Sequence, residues 1–174
     1  MKALVTYYSK TGNTEKLART IYETIDVDKE IKPLSEVAEG GHYDIIFIGF
    51  PVQAHSVPVA AQGILNRLPA GQNIALFSTH GSLRGGHLPE QAFQHAFGLA
   101  ARARVLGHFG SRGQVEDRLL DALMQKTEHA AWVEEARGAQ GHPNDSDLTD
   151  ARDFARSIMT RLYSISSAKE EPSA

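Results

Sequence analysis

The sequence predicts an α/β domain: a doubly wound, five-stranded parallel sheet in the order 2-1-3-4-5, with helices on both faces in three layers. Three observations lead to this expectation. Short apolar runs alternate with stretches of helical periodicity, the pattern of successive strand–helix–strand units. Tyr43–Phe50 is an almost unbroken apolar run, as suits a strand covered on both faces, whereas Asp28–Leu34 carries charges that suit an edge. A chain of 174 residues with 41% hydrophobic residues and no internal repeat is the size of one domain with its own core.

The elements follow in order. Lys2–Tyr8 is the first strand, and Asn13–Ile25 is a helix with Leu17, Ala18, Ile21 and Ile25 at helical spacing. Asp28–Leu34 and Tyr43–Phe50 are the second and third strands, the latter ended by Pro51, which has no N–H for a ladder. Pro58 opens a helix to Arg67, since proline suits a first helical turn. Asn73–Thr79 is the fourth strand. A glycine-rich loop, His80–Gly86, leads to a helix at Pro89–Ala101. Arg102–Phe109 is the fifth strand, ended by Gly110 and Gly113. A helix from Val115 to Gln125 continues in broken form to Arg137, and Gly138–Asp145 is a loop. Asp147 caps a final helix over Leu148–Leu162. The domain is expected to span 1–163, with 164–174 a polar, disordered tail.

Composition narrows the function. There is no cysteine, which excludes disulfides, thiolate catalysis and thiolate-bound metal within this chain. A net charge of −3 gives no basic surface for nucleic acid and no polybasic segment for a membrane. The chain enters a strand pattern at once and has no apolar run of membrane-spanning length, so a cytoplasmic location is expected. None of the eight histidines forms a metal-binding spacing, and no metal site is expected. No Gly-x-Ser-x-Gly elbow supports hydrolysis.

Right-handed crossovers bring every strand-to-helix loop to one edge of such a sheet, and ligands bind where the strand order reverses. The loops after strands one, three and four therefore form the expected site. The first is Ser9-Lys10-Thr11-Gly12-Asn13-Thr14. It joins a strand to a helix N-terminus, whose free N–H groups and positive dipole end favour a phosphate. Three hydroxyls add neutral donors, Gly12 permits close backbone approach, and Lys10 is the one charge. Helix capping by Thr11 or Asn13 is the competing explanation.

The pattern Ser/Thr-x-Thr-Gly-x-Thr, met at Ser9, Thr11, Gly12 and Thr14, resembles the FMN-phosphate loop of the flavodoxin family. It matches neither a Walker loop nor a dinucleotide fingerprint. The resemblance runs from Met1 to about Phe109. Trp132, Gly141-His142-Pro143 and the last helix are similar to a further branch of flavodoxin-domain proteins. The resemblance implies that FMN is the cofactor and that redox proteins are the partners. The flavin ring would lie between Pro51, Val52, Gln53, Ala54 and His55 on one side and Ser78, Thr79, His80, Gly81, Ser82, Arg84 and Gly85 on the other. Main-chain N–H groups from Thr79 to Gly81 would face its pyrimidine edge. The family's ring-stacking Trp and Tyr are absent from both loops, as is a glycine between Pro51 and Val57. An open flavin face would admit a partner or a small acceptor such as a quinone or tetrapyrrole. Homodimers are common among reductases of this fold.

Outside these loops, Phe109 and Arg112 are candidates to border the flavin, against a plainer reading as the end of an edge strand. Trp132 is expected to be packed under the chain crossing rather than in the cofactor site.

Overall fold

A computed structural model of the chain describes residues 1–37 and 41–170. It contains one five-stranded sheet built from β1 (Lys2–Tyr7), β2 (Asp28–Pro33), β3 (Ile45–Pro51), β4 (Asn73–His80) and β5 (Arg104–Arg112). The order is β2-β1-β3-β4-β5 and every pairing is parallel, as the sequence predicts. The helices are α1 (Asn13–Thr24), α2 (Val59–Arg67), α3 (His87–Leu99), α4 (Asp117–Met124), α5 (Ala130–Arg137) and α6 (Asp145–Glu170). No helix among the described residues is long and apolar enough to cross a membrane.

Successive strand residues point to opposite faces, so each central strand feeds two cores. Val5, Phe47 and Phe77 pack with Leu17 and Ile21 of α1 and Ile158 of α6 on one face. Leu4, Ile48, Phe50 and Leu76 pack with Leu65 of α2 and Phe93 of α3 on the other. Each fully buried side chain of this size contributes about 1.5–3 kcal/mol. The outer strand β2 is half-exposed, and Glu30 within it pairs with both Lys2 and Lys32.

Three boundaries differ from expectation for physical reasons. Gly110 does not end β5, which pairs with β4 up to Arg112. Gly110 instead leaves room for His80, whose Nε2 would lie 3.0 Å from an added Cβ. The cap of α6 is Asn144 rather than Asp147. Asn144 Oδ1 accepts from the N–H groups of Ser146 and Asp147, while Asp147 Oδ2 accepts from Asn144 N–H at 2.8 Å. That reciprocal pair is a capping box, with Asp147 as its third helical residue. Finally, α6 continues to Glu170, beyond Leu162 and into the segment expected to be a disordered tail. Residues 171–174 of that segment lie outside the described residues.

Gly49 in β3 is set by close packing. A Cβ there would lie 2.2 Å from the ring of Phe77 on the adjacent strand. Gly49→Val should lower stability by about 2–3 kcal/mol through overpacking, read as a shift of the urea midpoint at unchanged slope. Shrinking the neighbour, in Gly49→Val/Phe77→Leu, should recover part of the loss.

Candidate functional site

The site is built at the carboxyl edge of the sheet. After β1 the chain turns at Gly12, whose φ of 89° is left-handed and costs glycine nothing. Ser9 Oγ accepts from Gly12 N–H at 3.1 Å, closing the turn. The N-cap of α1 is Gly12, with Thr11 before it and Asn13 as the first helical residue, and among the described residues no side chain caps the helix. Its first-turn N–H groups therefore remain available, with the positive end of the helix dipole behind them. Thr11, Gly12 and Lys10 are exposed, Ser9 and Asn13 are partly buried, and Thr14 is buried. Thr14 and Thr79 share a hydrogen bond between their hydroxyls, 2.8 Å apart, which joins this loop to the end of β4.

The second loop is a tight hairpin. Gln53 and Ser56 exchange both main-chain hydrogen bonds, leaving Ala54 and His55 at the two corners. Their φ angles are 47° and 60°, the left-handed values of a type I′ turn. Non-glycine residues pay about 1–2 kcal/mol each for that conformation. The hairpin is fixed at its base, where Val52 N–H donates to Thr79 O at 2.8 Å and Ser56 Oγ meets His95 Nδ1 of α3. His55 is exposed at the tip.

The third loop starts later than the sequence suggests. Thr79 and His80 are strand residues, paired with Ser111 and Arg112 and almost fully buried. The loop proper is Gly81–Gly86, in which Gly81 and Ser82 are buried while Leu83, Arg84 and Gly85 are exposed. His80 Nδ1 lies 2.9 Å from the Ser82 carbonyl and so carries the proton; the other nitrogen, Nε2, is buried without a partner among the described residues. Burial pushes the His80 imidazole down to about 4, helped by the nearby Arg112 and Arg84. His80 is thus a neutral histidine at physiological pH. Arg84 turns away to α6, pairing with Asp150 and lying over the ring of Phe109 at 4.9 Å. Ser78 is fully buried within β4, and its hydroxyl has no partner among the described residues.

A fourth segment, which sequence reasoning left out, supports these loops from behind. After β5 the chain crosses to α1, where Asn13 Nδ2 donates to Gln114 O at 2.9 Å. Gln114 in turn donates to the carbonyl of His142, and Lys16 Nζ donates to that of Pro143. The same region holds the loop after β4. Trp132 Nε1 donates to Ser82 Oγ at 3.0 Å, and Glu135 Oε1 accepts from Leu83 N–H. Gly81 has no space for a side chain, because a Cβ would meet Val115 at 2.7 Å and Ala136 at 3.1 Å. Trp132 is packed with Leu120 and Val133, as expected, yet it also holds a loop of the expected site.

The two outlying candidates do not border an open face. Phe109 is buried in the core, stacked on Phe154 of α6. Arg112 points inward, with Nη2 donating to Glu135 O at 2.6 Å. β5 continues as a strand through both residues: Phe109 enters the core beside α6, whereas Arg112 is held by the carbonyls of Gly81 and Glu135. Among the described residues no group of three histidines or carboxylates is placed to hold a metal.

This edge fits the phosphate group of a flavin mononucleotide. It offers an uncapped helix end, a left-handed glycine and the hydroxyls of Ser9 and Thr11 on one turn, with the Thr14 hydroxyl buried against Thr79 behind them and no carboxylate between Ser9 and Thr14.

Comparisons with known proteins agree with this architecture. The model of the flavodoxin domain family matches residues 4–156. The flavodoxin-like domain-containing protein BilS of Clostridioides difficile (strain CD3) is 29% identical over 173 residues, covering 92% of this chain and 98% of the relative. A flavodoxin from the domain Archaea superposes with a TM-score of 0.62 at 16% identity, over 94% of this chain and 99% of its own. A flavoprotein of Lactobacillus acidophilus NCFM, solved in complex with FMN, superposes with a TM-score of 0.53 at 21% identity, over 70% of this chain and 97% of its own. With its sheet order, its loop after β1 and a family match over most of its length, the chain belongs to the flavodoxin domain family.

Proposed function

We propose that the protein binds FMN, with the phosphate on the N-terminus of α1, and passes electrons between protein partners. The uncapped first turn of α1 carries this reading, because a helix end left open beside the hydroxyls of Ser9 and Thr11 favours an anion. Family membership and the FMN held by a structural relative support it. Bound flavin would supply the electron chemistry, and the chain would hold, orient and expose it. Ser9, Thr11, Gly12, Asn13 and Thr14 would receive the phosphate, with Lys10 at the rim. The hairpin Pro51–His55 and the segment Ser78–Gly85 would flank the ring. The location assigned to this carrier is the cytoplasm.

A second reading is a flavin-dependent reductase, or the flavin subunit of one, acting on a small organic acceptor such as a quinone or tetrapyrrole. The absence of any Trp or Tyr from 51–58 and 81–86 favours it, since those loops lack the aromatic side chains that would stack on the ring. A homodimer would offer another cover.

Purified protein should quench FMN fluorescence saturably. Thr11→Glu, which sets a charge against the phosphate, should weaken FMN binding by a hundredfold or more, on the order of 3 kcal/mol. Unchanged affinity would remove the phosphate from α1. NAD(P)H oxidation by the FMN-loaded protein separates the two readings. A carrier should show negligible turnover with NAD(P)H and a quinone but rapid electron exchange with a reduced partner protein; steady turnover would favour the reductase.

A further inference from the structure

Two arginines stand near the loop after β4, and they are treated differently. Arg84 is exposed and has a carboxylate, Asp150. Arg112 is partly buried and has none within ion-pair distance among the described residues. Its guanidinium donates to two main-chain carbonyls, Glu135 O at 2.6 Å and Gly81 O at 3.5 Å, and its Nε is buried without a partner among the described residues. The neighbouring carboxylate of Glu135 is occupied by Leu83 N–H. Space for the group is made by Gly138, where a Cβ would lie 3.1 Å from Nη2. Burying a cation against neutral acceptors is costly, and the cost is offset when an anion arrives nearby. The charge of Arg112 reaches His80, whose imidazole is held neutral by burial first; the Ser82 hydrogen bond opposes this, Arg112 and Arg84 add to it, and the Glu135 carboxylate acts against them.

Among the loops that a flavin moored at α1 can reach, Gly81–Gly86 is the one backed by this cation. Resting on the FMN reading above, we propose that Arg112 is a positioning residue for charge: its guanidinium, seated behind Gly81, stabilises the negative charge that FMN gains on reduction. Two electrons from a reduced partner protein and one proton at N5 would leave the flavin ring a monoanion, in addition to the phosphate charge, with N1 unprotonated and the ring charge shared by N1 and O2. Arg112 favours that anion over the neutral oxidised ring without touching it, and so raises the two-electron potential.

The test measures dissociation constants for oxidised and dithionite-reduced FMN, at neutral pH, with native protein, Arg112→Gln and Arg112→Lys. Arg112→Gln keeps a donor for the carbonyls and loses the charge. It should lower the preference for reduced over oxidised FMN by about tenfold, while Arg112→Lys keeps most of it. An equal loss of affinity for both forms, or no change in their ratio, would overturn the proposal and leave Arg112 a support of the loop or phosphate. Native protein that binds neither form would overturn the FMN reading itself. If Arg112→Gln fails to fold, native protein still decides. The pH at which its potential changes from a two-proton to a one-proton slope should lie below that of free FMN, and a break at or above the free value would refute the role.

Discussion

Asn13 donates to the carbonyl of Gln114, and this hydrogen bond joins the first turn of α1 to a segment 101 residues later. Through Gln114 and His142 the same chain reaches the capping box of α6, and through Trp132 and Glu135 it reaches the loop after β4. Without this docking, α1 would present its amides from a turn free to fray, and the loop after β4 would lose the wall behind Gly81. The parallel sheet brings the loops to one edge; the segment after β5 fixes them relative to one another. A binding site gains from such preorganisation because the ordering cost is met when the chain folds rather than when the ligand arrives.

The polar groups of the edge follow from where water is excluded. At the exposed turn of Ser9–Gly12, open N–H groups and hydroxyls cost little, since solvent satisfies them until an anion does. Deeper in, at Thr14, Thr79 and His80, each hydrogen bond inside the protein matters more, and the unpartnered Nε2 of His80 and Nε of Arg112 stand out. The site thus changes from solvated donors at the first loop to buried polar groups, with Arg112 among them, at the end of the sheet. That gradient suits a ligand whose phosphate is anionic throughout and whose ring gains charge during use.

Much of this was legible in the sequence, for reasons that also explain what was not. Period-two and period-3.6 patterns report burial directly, so the five strands, their order and the meeting of three loops at one edge could be read from Lys2–Tyr8, Tyr43–Phe50 and Asn73–Thr79. The turn at Gly12 was legible because its chemistry is local. Gly110 was misread because glycine usually punctuates a strand, and its real cause, the nearby ring of His80, is set by packing across the sheet. Asn144 and Asp147 are both good caps, and only the geometry of the turn tells the cap from its third residue. The inward turn of Arg112 left no trace in the pattern, since its acceptors are carbonyls of Gly81 and Glu135 that any residue type would supply.

The hairpin at Gln53–Ser56 has a consequence for how the edge can move. Ala54 and His55 both lie in a region that L-residues resist, and the two main-chain bonds at their base hold them there. At Gly81 and Ser82, by contrast, a change of shape must break packing against α5 and its flanking residues. The peptide between residues 54 and 55 takes part in neither of the two bonds at the base of the hairpin, so that base can stay intact whichever way the peptide faces. The main-chain groups at the tip of the second loop are therefore set by the backbone torsions of Ala54 and His55 and not by the bonds below them.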